Sequence, residues 1–172
     1  MIKQKTALEE WTPEKALAHN FLIDVQGFKD DAKMTIGVDF FFKIVKLRGN
    51  NAKLQIWVLS PLERFYSIHR FYVRDSLGAI ILYDITNINT LNRISEWSQL
   101  IREKNGNIPI LLVGNKIDLE DLREISIDQI NKIIEDLQLS AFMEISSKTG
   151  ENVELMFERF TQLIINFFEN RS

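Results

Sequence analysis

From residue 79 onward the chain repeats one pattern three times: a short, wholly apolar run, then apolar residues at helical spacing. Ala79-Ile80-Ile81-Leu82-Tyr83 precedes Leu91, Ile94, Trp97 and Ile101. Pro109-Ile110-Leu111-Leu112-Val113 precedes Ile127, Ile130, Ile133, Ile134 and Leu137, and Ala141 to Ile145 precedes Val153, Phe157, Phe160, Ile164 and Phe167. Short apolar runs suit strands buried on both faces, and the three-to-four spacing suits helices with one apolar stripe. Such alternation, with right-handed crossovers, predicts a parallel sheet covered on both sides: a doubly wound, three-layer α/β sandwich. Ahead of it, Val38 to Leu47 and Ala52 to Val58 are two extended runs around Gly49-Asn50-Asn51, which predicts a hairpin. The first 35 residues are polar and irregular and carry no assignable element. No linker, repeat or low-complexity tract divides the 172 residues, so one domain over 1–172 is expected.

Composition excludes several function classes. Lysine plus arginine number 21 against 24 aspartate plus glutamate, a net charge of −3, so there is no electrostatic footprint for a nucleic-acid polymer or an anionic membrane. With no cysteine, the chain has no disulfide framework, thiolate metal site, cysteine nucleophile or lipidation site. The longest apolar run, Gly78 to Tyr83, falls far short of the roughly 20 residues a spanning helix needs, and Met1 to Lys5 opens no signal core. A cytoplasmic chain without direct membrane insertion is expected. The two histidines, His19 and His69, are too few for a His-rich metal site and read as surface or packing residues.

In doubly wound sheets ligands bind beyond the carboxyl ends of the strands. One strand there runs into Gly114-Asn115-Lys116-Ile117-Asp118. An aspartate carboxylate can accept two parallel hydrogen bonds from the N1–H and 2-amino group of guanine, donors that adenine lacks on that edge. Asn115 can bridge neighbouring loops or reach a base, and Lys116 can lay its alkyl stem along a ring. The competing reading is an ordinary polar turn with Asp118 near a helix start. The next strand ends in Glu144-Ile145-Ser146-Ser147-Lys148-Thr149-Gly150, where a backbone N–H could bond the base O6; here the competing reading is a Ser-rich loop capping the last helix.

At this point the chain resembles the Ras-superfamily small GTPases, most of all the Rab branch. The residues that carry this are Thr35-Ile36-Gly37-Val38-Asp39-Phe40, Lys53-Leu54-Gln55-Ile56-Trp57, Glu63-Arg64-Phe65, Leu82-Tyr83-Asp84-Ile85-Thr86 and the Asn115 and Ser146 loops. The resemblance implies a small G-domain fold with a mostly parallel six-stranded sheet and one antiparallel edge strand. It implies guanine-base contacts at Phe28, Asn115, Lys116, Asp118, Ser146, Ser147 and Lys148. Phe40, Trp57 and Tyr72 match the aromatic trio that Rab proteins present to effectors, and with Thr35, Leu62, Phe65 and Ile68 they make a switch-like surface for protein partners. Core packing is the competing reading of these aromatics. Rab-like proteins usually carry a C-terminal tail with lipidated cysteines, so the resemblance leaves open that this chain is a fragment or single domain of a longer one; recruitment to membranes through partners is the other expectation.

The family's phosphate half is degenerate. The expected G-x-x-x-x-G-K-[ST] loop corresponds to Glu9-Glu10-Trp11-Thr12-Pro13-Glu14-Lys15-Ala16-Leu17, inside a region 1–34 that holds no such motif. It lacks glycine for close backbone approach, Pro13 lacks an N–H, and three carboxylates would oppose an anion. Lys15 is the candidate remnant of the phosphate-binding lysine, although counting back from Thr35 puts Ala16 there; an acidic helix start with Pro13 in its first turn is the preferred reading. After Trp57 the family reads D-T-A-G-Q, and this chain reads Val58-Leu59-Ser60-Pro61-Leu62. Val58 cannot support Mg²⁺, Pro61 cannot sense a terminal phosphate through an N–H, and Leu62 cannot orient water. Neither a catalytic residue nor a metal ligand is expected. The sequence therefore reads as a Rab-like homologue without hydrolysis, a protein-interaction module binding GTP or GDP weakly and without Mg²⁺, or not at all. The alternative is a guanine-nucleotide-binding GTPase with an atypical or partner-completed phosphate site, acting in membrane traffic or signalling.

Overall fold

The computed structural model describes residues 19–24, 38–47, 49–59 and 65–171. The strands are β1 (His19–Asp24), β2 (Val38–Leu47), β3 (Asn50–Leu59), β4 (Gly78–Asp84), β5 (Ile110–Asn115) and β6 (Ala141–Ile145). The helices are α1 (Tyr66–Tyr72), α2 (Ile94–Asn105), α3 (Ile127–Asp136) and α4 (Val153–Glu169). One six-stranded sheet has the order β2-β3-β1-β4-β5-β6, with β2 antiparallel to β3 and every other pairing parallel. This is the doubly wound G-domain architecture expected from the sequence.

Strict alternation along the central strands builds two apolar layers. Ala79, Ile81 and Tyr83 of β4, with Ile110 and Leu112 of β5, pack towards Leu100 and Ile101 of α2 and Ile130 of α3. Ile80, Leu82, Leu111 and Val113 point the other way, onto Met156, Phe160 and Ile164 of α4. Every residue of β4 and β5 is buried, which is why these strands read as continuous apolar runs rather than as alternating ones. Local signals fix the helix ends. Ser126 and Gln129 form a reciprocal capping box at the start of α3. At its far end the Arg102 guanidinium donates to the Leu137 and Gln138 carbonyls at 2.9 and 2.8 Å, placing positive charge on the negative helix terminus.

The sequence reading missed β1. His19–Asp24 takes the central place in the sheet, pairing with β3 on one side and β4 on the other. Its short apolar run, Phe21-Leu22-Ile23, is flanked by polar residues and gives little periodic signal. In chain order β1 follows the stretch 9–17, so the residues that leave its carboxyl end begin at Val25. His69 is fully buried, its ring 4.9 Å from that of Trp97, in keeping with packing rather than a surface place. No described helix is long and apolar enough to cross a membrane.

Candidate functional site

The parallel register of β4, β5 and β6 brings three strand ends to one edge: Asp84 lies opposite Asn115, and Asn115 opposite Ile145. The loops singled out in the sequence therefore meet at the carboxyl edge of the sheet. Gly114 permits that convergence. A Cβ there would sit 2.7 Å from the Tyr83 hydroxyl, far inside contact distance. The phenol is itself held: it donates to Glu144 Oε1 at 3.3 Å, and burial followed by the Glu144 charge pushes its pKa far up, so it stays a neutral donor. Gly114→Ala is accordingly expected to cost about 1–3 kcal/mol by overpacking, seen as a lower urea midpoint with unchanged slope.

Beyond Gly114 the chain turns sharply. Lys116 adopts the left-handed conformation, with φ 75° and ψ 35°, a strain of about 1–2 kcal/mol for a side-chain-bearing residue. The turn sets Asp118 in the first turn of the 3-10 segment Ile117–Leu122, so the helix-start reading of this residue also holds. The Ser146 hydroxyl donates to Asp118 Oδ1 at 2.5 Å. Asp118 Oδ2 is buried and accepts no hydrogen bond among the described residues; the exposed Lys148 ammonium stands 3.9 Å away. A buried carboxylate oxygen lacking a donor suits an incoming N–H donor.

Asn115 ties the two loops together. Its Oδ1 accepts from the Ser147 amide and the Ser147 hydroxyl, both at 3.0 Å. Of the two roles open to Asn115 in the sequence, bridging is the one its oxygen performs here. Ser146 Oγ also accepts from the Thr149 amide at 3.1 Å, and the Gly150 amide donates to the Ser146 carbonyl at 2.9 Å. These bonds engage the Ser147, Thr149 and Gly150 amides in the loop's own fold, and among the described residues the Lys148 amide makes no such bond. The Ser-rich loop does not cap α4: that helix begins after Asn152, a left-handed residue whose side chain makes no capping bond and donates instead to the Glu144 carbonyl at 3.0 Å.

Lys116 reaches back across the edge to Asp84, its ammonium 2.6 Å from Oδ2. Burial pushes the Asp84 carboxyl up, but hydrogen bonds from Lys116 and from the Thr86 hydroxyl and amide outweigh it and hold the group below the usual carboxylate range. Asp84 was not singled out as a site residue in the sequence, although it ends a buried strand beside the Asn115 loop, which is the signal that could have found it. A second brace lies behind. Arg123 donates to both oxygens of Glu144 at 2.8 Å and to Glu120 at 2.7 and 2.6 Å, fastening the end of β6 to the segment that carries Asp118.

At the other end of the sheet an aromatic row forms. The Phe40 and Trp57 rings lie 5.5 Å apart, and Trp57 and Tyr72 4.9 Å apart. Phe40, Ile68 and Tyr72 are exposed, and Trp57 and Phe65 partly so. The core reading of the trio does not hold for Phe40 and Tyr72. Phe41, Phe42, Ile44 and Phe71 are also exposed; three successive phenylalanines on one strand, which must place apolar side chains on both faces, were the signal for the first two. Lys15, Phe28, Thr35 and Leu62 lie outside the described residues.

A family model described as the Ras family matches residues 15–166. Over 160 residues the chain is 39% identical to Ras-related protein Rab-4A of Homo sapiens and to that of Bos taurus, an alignment covering 92% of this chain and 72% of each relative. It is 40% identical over 139 residues to Ras-related protein Rab-4 of Dictyostelium discoideum, covering 80% of this chain and 67% of that protein.

Proposed function

The chain belongs to the Ras family as a Rab-like member, and from that premise we propose that it is a GTPase homologue without hydrolysis, a protein-interaction module with at most weak, Mg²⁺-independent guanine-nucleotide binding. It would act in membrane traffic or signalling. The observation that carries the proposal is Val58. It stands where the family resemblance places a metal-supporting aspartate, and it is 7% exposed within the apolar layer that includes Ile56, Ile80, Leu82 and Phe160. An isopropyl group has no lone pair for a metal's water shell. Pro61 and Leu62 follow in the sequence where the phosphate-sensing N–H and the water-orienting amide would be needed.

The base half argues for residual binding. It is supported by Asp118 Oδ2, a buried carboxylate oxygen that accepts no bond among the described residues and could accept from a guanine N–H. Phosphate and metal contacts supply most of the charge-assisted bonding to a nucleotide, so a base half alone implies low affinity. The exposed aromatic row supports the interaction role, since contiguous apolar surface of this kind marks contact sites.

Protein stripped of carried-over nucleotide, titrated with GTP and GDP with and without Mg²⁺, tests this directly. Equal affinities in both conditions and no phosphate release under single-turnover conditions are expected. Mg²⁺-dependent phosphate release that disappears in Asp118→Ala would overturn the proposal in favour of a working GTPase with a rebuilt phosphate site.

A further inference from the structure

The outer edge of β2 carries no partner strand among the described residues: β2 stands last in the sheet order and pairs with β3. It is ten residues long and free of proline, and Phe40, Phe41, Phe42 and Ile44 are each more than half exposed. Phe40 and Phe42 share one face, their rings in edge contact at 5.9 Å, while Phe41 lies on the other. An open edge with apolar side chains on both faces invites a further strand, and proteins commonly guard such an edge with an outward lysine. The central lysine here gives no such protection. Lys43 is drawn towards α4, 2.6 Å from Glu154 and 4.9 Å from the Phe157 ring.

The strand is also complementary to itself. In an antiparallel pair, opposed residues point to the same face, so two copies related by a two-fold axis through the sheet can oppose only residues of like parity. With Phe41 on the axis, Phe41 meets Phe41, Phe40 meets Phe42, Val38 meets Ile44 and Asp39 meets Lys43. Every opposition is apolar on apolar or negative on positive, and the Asp39–Lys43 pair occurs twice. Centring on Phe42 instead sets Phe41 against Lys43 and Asp39 against Val45; centring on Phe40 sets Asp39 against Phe41. The ammonium has three donors, so Lys43 can keep Glu154 while meeting a second carboxylate. We propose that two copies of this chain join β2 to β2, antiparallel and centred on Phe41, into one sheet continuous across the dimer. The inference stands on the strand edge and is independent of nucleotide binding.

Because the chain has no cysteine, a register can be read by single thiols. Under mild oxidation Phe41→Cys alone is expected to give a covalent dimer. Asp39→Cys and Lys43→Cys are expected to cross-link when mixed and neither alone, while Lys46→Cys stays monomeric. In sedimentation velocity over a concentration series, Asp39→Lys and Lys43→Asp should each weaken self-association about tenfold or more, and the double exchange should restore it. Circular dichroism on each variant separates lost pairing from lost folding. An unmodified chain that stays monomeric to its solubility limit overturns the proposal, whether the edge is then bare or awaits a strand of another protein. So does cross-linking of Lys46→Cys as ready as that of Phe41→Cys, or a double exchange no better than its parents.

Discussion

Val58→Asp is expected to destabilise the fold by about 3 kcal/mol at neutral pH and to confer no Mg²⁺ dependence on nucleotide binding. The substitution restores the residue that the Rab resemblance places after Trp57. Its backbone is held on both sides, opposite Ile23 of β1 and Asp39 of β2, so the side chain cannot leave by a local shift. The carboxylate would enter an apolar layer with Ile56, Ile80 and Leu82. Burial raises the folded-state pKa of such a group above its unfolded value near 4. A neutral carboxyl without a partner still costs about 1–3 kcal/mol, and the further, pH-dependent part of the destabilisation should be absent below about pH 4, grow as pH rises towards the raised folded value and level off above it. Melting curves of parent and variant at several pH values measure this. A variant that melts like its parent at pH 7 and gains Mg²⁺-dependent GTP affinity would mean that the site lies one residue from a working metal centre, and would sink the proposed loss of hydrolysis.

What could be read in the sequence follows from how burial writes itself there. β4, β5 and β6 are covered on both faces or nearly so, and their runs of aliphatic residues are unambiguous. The helices α2, α3 and α4 each present one stripe to a sheet face, and their spacing shows it. β1 is just as central, yet its short run His19-Asn20-Phe21-Leu22-Ile23-Asp24 is polar at both ends, so the strand that completes the sheet carries the weakest signature. That Asn115, Asp118, Ser146 and Ser147 come together could be read in the sequence, because their loops follow neighbouring parallel strands that end at one sheet edge. Their mutual wiring could not: a hydroxyl donating to Asp118, or Asn115 accepting from Ser147, depends on a three-dimensional meeting of positions 28 and 32 residues apart. Asp84 went unread for the same reason, since its role lies in a partner 32 residues onward. For the aromatics of β2 the surface and core readings stood side by side in the sequence, because hydrophobicity alone does not say whether a strand is central or at an edge; Phe40, Phe41 and Phe42 are exposed.

Asp118→Ala is expected to erase the guanine preference of whatever nucleotide binding the parent shows. Guanine offers two adjacent N–H donors on one edge, and adenine offers neither arrangement. In the parent, Asp118 Oδ1 is fixed by the Ser146 hydroxyl at 2.5 Å, which orients the carboxylate and leaves the buried Oδ2 to accept. A site built to pair with a ligand's N–H groups rejects an analogue lacking them by roughly 10⁴-fold, because its own buried polar groups then go unpaired. Even with the phosphate contacts degraded, the ratio of GDP to ADP affinity should keep a sizeable part of that discrimination, and removing the carboxylate should bring it close to one. The fold should survive, since Ser146 Oγ keeps its bond from the Thr149 amide and loses a single acceptor, a cost of about 1 kcal/mol. Lys148→Ala makes the contrast. Its ammonium is largely exposed and stands 3.9 Å from Oδ2, so the selectivity ratio should change little. Competition of GDP and ADP against a fluorescent guanine nucleotide gives the ratio for all three proteins. If Asp118→Ala keeps the parent's ratio, the loops after β5 and β6 do not read the base, and the preserved network around Asn115 and Asp118 serves only to hold two strand ends together.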